Sequence, residues 1–164
     1  MVAVKRLASV CELFGAKAAL SLKNQIKNVA GDKEMVIRQT CAEQLGLYCK
    51  YLIEKTNDSK EAHDLIICDL LPLLKEMLRD AMEVRQPAST SLIIVAELLT
   101  KEEVNEHVLK IVLHMAHDDT DDQKICALPL LAELAPIVGS SICKDCLSND
   151  LHTLSQDNSF RVRK

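Results

Sequence analysis

Apolar residues recur along this chain with the period of a helix. Between Leu65 and Leu99 they form two runs, separated by a polar break at Asp80-Ala81-Met82-Glu83. The first run, Leu70-Leu71-Pro72-Leu73-Leu74-Lys75-Glu76-Met77-Leu78, is apolar nearly all round. The second places Val84, Ala88, Leu92, Val95, Ala96 and Leu99 on one helical face, at steps of three and four residues with one adjacent pair. Such a hairpin cannot bury two apolar faces by itself, so it predicts further copies on either side.

The basic residue just after the turn serves as a ruler. It recurs as Arg38, Arg85, Lys124 and Arg163, at intervals of 47, 39 and 39 residues. Read at the same offsets, the helix after Arg38 carries Ile37, Cys41, Leu45, Tyr48, Cys49 and Leu52. The helix after Lys124 carries Gln123, Ala127, Leu131, Leu134, Ala135 and Val138. Only Gln123 is polar among these twelve, where a composition that is 48% hydrophobic would place about half. The preceding helices agree more loosely: Leu70, Leu73, Leu74 and Met77 correspond to Leu109, Val112, Leu113 and Ala116. Leu22, Ile26 and Val29 stand before Arg38, and Leu147, Leu151 and Leu154 before Arg163.

Two helices every 40 to 47 residues is the period of HEAT-type repeats. The predicted fold is all-α, an α-α superhelix of stacked antiparallel helix pairs. Its repeats cover about 16–55, 61–100 and 102–138, with partial repeats at 1–15 and 140–164. Polar links fall at Thr56 to Lys60, Thr100 to Glu102 and Gly139-Ser140-Ser141, and the first absorbs the extra residues of the 47-residue interval. Neither end carries a polar capping repeat, so the whole reads as one array cut from a longer solenoid. Pro72, Pro129 and Pro136 fall inside predicted helices and should bend them, Pro129 with the alternative of breaking its helix in two. Pro87 is placed in a first turn, where its missing N–H costs least.

Each turn joins an acidic residue, a tip and an aliphatic–basic pair: Asp32 to Arg38, Asp80 to Arg85, Asp118-Asp119 to Lys124, and Asp157 to Arg163. Asp suits a helix N-terminus, whereas a basic residue there opposes the helix dipole. Its recurrence predicts a carboxylate partner, in a structural ladder of Asp32, Arg38, Asp80, Arg85, Asp119, Lys124, Asp157 and Arg163.

Composition narrows the function classes. Aromatic residues are 2% of the chain and Trp is absent, which disfavours sandwiches and barrels. A net charge of −4 makes a poor partner for nucleic acid or anionic lipid. Seven Cys, an odd number set mostly on apolar helical faces, fit a reducing compartment rather than a disulfide framework. Asp69 and Pro72 interrupt the longest apolar run, and Glu12 and Lys17 break the N-terminal one, so neither a membrane span nor a signal peptide is expected. A cytoplasmic protein, with the nucleus also open to it, is the expectation, and Asn57-Asp58-Ser59 is then only a loop triplet.

Sites for chemistry are few. Cys143-Lys144-Asp145-Cys146 is a single C-x-x-C, with no second pair for a structural zinc. His114 and His117, ahead of Asp118, Asp119, Asp121 and Asp122, read as a capped helix end before an acidic turn, with a metal corner as the alternative. No Gly-rich phosphate loop, nucleophile elbow or catalytic triad occurs in the sequence, so no enzyme activity, cofactor or metal is expected.

Asp157-Asn158-Ser159-Phe160-Arg161-Val162-Arg163, Leu70 to Asp80 and Cys41-Ala42-Glu43-Gln44-Leu45-Gly46 resemble HEAT repeats of the scaffold (A) subunit of protein phosphatase 2A. They are equally similar to the regulatory subunits of protein phosphatase 4. The resemblance spans about residues 20 to 164, with Asp121 at the third tip and Lys124 in place of Arg as departures. It implies a non-catalytic scaffold or regulatory subunit whose intra-repeat turns meet phosphatase catalytic and regulatory subunits. Met35, Met82, Phe160 and Arg161 are the implied contacts. Met and Phe are over-used at interfaces in any case. A cargo-binding adaptor of the nuclear-transport type is the alternative, and would carry acidic residues along its second helices.

Overall fold

The computed structural model describes residue 15, residues 19–57 and residues 59–164. The expected partial repeat over 1–15 therefore lies, but for Gly15, outside the described residues. All regular structure among the described residues is helical. The chain forms two compact units, Met1–Leu98 and Leu99–Lys164.

The first unit holds α1 (Lys23–Ala30), α2 (Met35–Lys55), α3 and α4 (Met82–Leu98). Helix α3 runs without a break through Lys60–Leu65, a wider π-helical turn over Ile66–Leu70, and Leu71–Met77. Ser59 starts it, its hydroxyl accepting the Ala62 amide at 3.3 Å. The second unit holds α5, α6 (Asp121–Val138), α7 and α8 (Phe160–Arg163). Helix α5 comprises Lys101–Glu103, Val104–Val108 and Leu109–Ala116; α7 comprises Ser140–Ile142, Cys143–Leu147 and Ser148–Ser155. A capping box opens α5: the Thr100 amide donates to Glu103 Oε2 at 2.8 Å, and the Glu103 amide to Thr100 Oγ1 at 3.3 Å. Gly139 joins α6 to α7 at φ 90°, where a residue with a side chain would be strained.

The helix pair recurs in chain order. Its second helices begin at Met35, Met82, Asp121 and Phe160, again 47, 39 and 39 residues apart. The wide turns of α3, α5 and α7 close with matching bonds, Leu71 to Ile66, Leu109 to Val104 and Ser148 to Cys143. The extra residues of the first interval are not confined to the link, because α2 has 21 residues against 17 in α4 and 18 in α6.

The apolar stripes are the core. All the offset positions on α2, α4 and α6 are buried except Ile37 and Ala135, which are half-buried, and Gln123 is buried with the rest. Leu151 departs from its expected place and is 44% exposed. Tyr48 is fully buried, and its hydroxyl donates to the Ala19 carbonyl at 2.6 Å. Helix α6 is continuous through Pro129 and Pro136, so it does not split. Pro87 is the sixth residue of α4 rather than part of its first turn, because α4 starts at Met82 and not at Val84.

Within the first unit, α2 and α4 run in the same direction, since Arg38 meets Asp80 and, further along both helices, Gly46 meets Ser91. They approach closely at that second point. The Gly46 amide donates to Ser91 Oγ at 3.0 Å, and that hydroxyl donates to the Ala42 carbonyl at 2.5 Å. A Cβ on Gly46 would lie 3.0 Å from Ser91 Cα and 3.1 Å from Ile94 Cδ1. Gly46→Val should therefore overpack this contact and lower stability by about 2 kcal/mol, measured as a reduced midpoint in urea unfolding.

Candidate docking turns

Every second helix carries its ruler residue at the fourth position, one turn inside its N-terminus. In the first unit Asp32 Oδ1 accepts the Glu34 amide at 2.8 Å, which folds the turn before α2. Arg38 then reaches back, with Nη1 donating to the carbonyls of Asp32 at 2.8 Å and Lys33 at 3.1 Å. Its other two nitrogens fork onto the Asp80 carboxylate, Nε to Oδ2 at 2.5 Å and Nη2 to Oδ1 at 3.0 Å. Asp80 Oδ1 also accepts the Ala81 amide at 2.7 Å, and Arg85 Nη2 donates to the Asp80 carbonyl at 2.9 Å. One basic residue thus clamps its own turn and grips the turn of the next pair. The Arg38 hydrogen bonds hold the Asp80 carboxyl below its ordinary pKa, and Asp80 raises that of Arg38.

The second unit repeats the arrangement. Lys124 Nζ meets Asp157 Oδ2 at 2.8 Å, with both side chains less than one-fifth exposed. Asp157 Oδ1 accepts the Ser159 amide at 2.8 Å, and Arg163 Nη1 donates to the carbonyls of Asp157 and Asn158. The Lys124 bond lowers the pKa of Asp157, and Asp157 raises that of Lys124. In the turn before α6 it is Asp118, not Asp119, that takes the folding role. Asp118 Oδ1 accepts the Thr120 amide at 3.0 Å and the Thr120 hydroxyl at 2.8 Å, while Asp119 is exposed. The spacing carried that signal, because Asp32, Asp118 and Asp157 each stand six residues before their basic residue.

The tip residues Met35, Met82, Asp121 and Phe160 are the first residues of their helices. Met82 is 63% exposed and Phe160 71%, whereas Met35 is half-buried. Val36, beside Met35, is the more exposed at 47%, and the sequence pattern had not singled it out. Arg161 lies in the open, pairing with Asp122 across 2.9 Å with both side chains more than half exposed. Such a pair contributes about 0–1 kcal/mol and leaves the guanidinium available. Beside it, Ser159 Oγ donates to Asp121 Oδ2 at 2.5 Å.

The other candidate groups are differently engaged. His114 is exposed, and His117 Nε2 pairs with Asp150 Oδ1 at 2.8 Å. Cys143 Sγ donates to the Ala135 carbonyl at 3.3 Å, while the side chain of Cys146 lies outside the described residues. Among the described residues no group of three or more His, Cys, Asp or Glu could hold a metal ion, and no helix is long and apolar enough to cross a membrane. Burial pushes the Cys41 thiol up to about 12 and raises that of Cys49 as well, whereas Cys68 is exposed.

Two predictions follow from these environments. Because the folded-state pKa of Asp80 is depressed, its contribution to stability is present above the ordinary carboxylate value near 4 and fades as pH falls below it. Asp80→Asn should lower the unfolding midpoint at neutral pH, and the gap to wild type should narrow as pH drops below about 4, followed by urea titration. In the folded protein, alkylation tracked by peptide mass spectrometry should label Cys68 well before Cys41 or Cys49. Compared with known proteins, the chain matches no family model and no curated protein.

Proposed function

We propose that this chain is a stretch of HEAT-type α-α superhelix that works as a non-catalytic scaffold, docking protein partners at the turns between paired helices. The observation that carries this reading is the recurrence of one helix pair whose turn is fixed from beneath, by the Asp and basic side chains, while its first helical residue stays exposed as Met82 or Phe160. An apolar side chain held in the open on a rigid turn is the type of anchor that buries well in a partner. The partner class is a Ser/Thr protein phosphatase, in the cytoplasm or nucleus. Support for that class comes from the sequence resemblance at Leu70 to Asp80 and Asp157 to Arg163. The contact set is Met82, Phe160 and Arg161, with Met35 a lesser member because it is half-buried. A cargo-binding adaptor receives less support, since the exposed charges of α2 mix Glu43 and Glu54 with Lys50 and Lys55.

The test is capture of purified Ser/Thr phosphatase catalytic subunits on the immobilised chain. Wild type should retain a catalytic subunit, and Phe160→Ala or Arg161→Glu should reduce retention several-fold without changing the helical circular dichroism. A wild-type chain that retains none of these subunits sinks the phosphatase reading.

A further inference from the structure

Helix α6 keeps one face exposed. Its exposed residues are Asp122, Pro129, Ala132, Glu133 and Pro136, whose spacing gathers them within about a third of the helix circumference. Both charges on this face are acidic, while Lys124 of the same helix is half-buried and held on Asp157. The two prolines add acceptors of a second kind. Pro129 has no N–H to give the carbonyl of Ile125, and Pro136 has none for that of Ala132, although α6 is continuous through both. On the solvent side of a helix, carbonyls tilt out towards water. Each of these two also stands close in the chain to an exposed carboxylate, Ile125 three residues after Asp122 and Ala132 next to Glu133. The two acceptor sets repeat at the seven-residue step from Pro129 to Pro136, a rise of about 10.5 Å along the helix.

We propose that this face docks an extended cationic segment of another protein, with two Arg side chains three residues apart, one on each acceptor set. Charge complementarity selects this occupant, since carboxylates and carbonyls without a helical donor both call for positively charged donors. Arg suits the task best, because its fork of five N–H groups reaches several acceptors at once. A polyproline II segment turns every third side chain to the same side at about 9 Å, within reach of the α6 spacing for so long a side chain. A β-strand would turn the third side chain away. The chain itself holds a precedent, since Arg161 Nη2 lies 2.9 Å from Asp122 Oδ1 in an exposed pair that an incoming Arg can displace. This face is separate from the exposed tips Met82 and Phe160, so the inference does not rest on the phosphatase reading.

Fluorescence anisotropy tests this, with a labelled peptide of core Arg-Pro-Pro-Arg and a control peptide carrying Gln in place of both Arg. Wild type should bind the Arg peptide saturably, more weakly as salt is added, and should not bind the control. Glu133→Gln should weaken binding several-fold. Pro136→Ala supplies the N–H that Ala132 lacks, so it should raise the urea midpoint of the protein and yet weaken the peptide several-fold. A proline with a merely structural role would give the first change without the second. Arg161→Ala, which frees Asp122, should bind the peptide at least as well as wild type. Circular dichroism checks that each variant is folded. Absence of saturable binding by wild type, equal binding of the control peptide, or an unchanged affinity in Pro136→Ala overturns the proposal.

Discussion

A cation in the first turn of a helix faces the positive end of the helix dipole and a set of unpaired amides. Four helices of this chain nonetheless begin with a basic residue at their fourth position. Arg38 resolves the conflict by turning backward, so that its guanidinium lies against two carbonyls of the preceding turn and a carboxylate from the following pair. The dipole penalty is then offset by three or more directed bonds, with the two side chains each only 22% exposed. Much of the rest of the first unit depends on that one grip. Once Arg38 and Asp80 are joined, α2 and α4 run side by side with a fixed register. The stripe from Cys41 to Leu52 then enters the core with the stripe from Ala88 to Leu99.

The second contact between those helices shows how tightly the register is held. Gly46 lets α2 approach the backbone of α4, and Ser91 bridges the Ala42 carbonyl and the Gly46 amide, the pair that a regular helical bond would join. Slipping one helix by a residue would leave a buried hydroxyl without partners and drive a side chain into a backbone. Both outcomes cost more than the loss of an exposed ion pair. Hydrogen-bonding groups therefore specify alignment here, while the Leu, Val and Ala positions supply the burial.

What could be read from the chain follows from which forces leave a periodic trace. Burial on one helical face repeats every three to four residues, so the stripes on α2, α4 and α6 were visible before any coordinates. The turn Asp and the basic residue were visible because they recur five or six residues apart, although Asp119, in an acidic run, masked the role of Asp118. The π-helical turns left no trace, since the residues that open and close Ile66–Leu70, Val104–Val108 and Cys143–Leu147 stand four apart, a spacing an ordinary α-helical stripe also uses. Leu151 misled as well, because the apolar spacing it shares with Leu147 and Leu154 gathers two buried residues and one that is exposed.

The same division of labour suits the turn tip to the docking role proposed above. At the turns before α2, α4 and α8 the backbone is fixed from below, by the Asp side chain on one side of the bend and the basic side chain on the other. The first helical residue's side chain makes no bond to its own turn, although Asp121 accepts a hydrogen bond from Ser159 Oγ of the next one and Met35 is half-buried. At Met82 and Phe160 it stands exposed, so its identity can change without loss of the turn. It is Met at positions 35 and 82, Asp at 121 and Phe at 160. A position whose backbone is invariant and whose side chain is unconstrained can take on different binding chemistry from turn to turn. Under the proposed docking role, stability and recognition are carried by different atoms of the same six or seven residues, and a change at the tip should alter the second with little effect on the first.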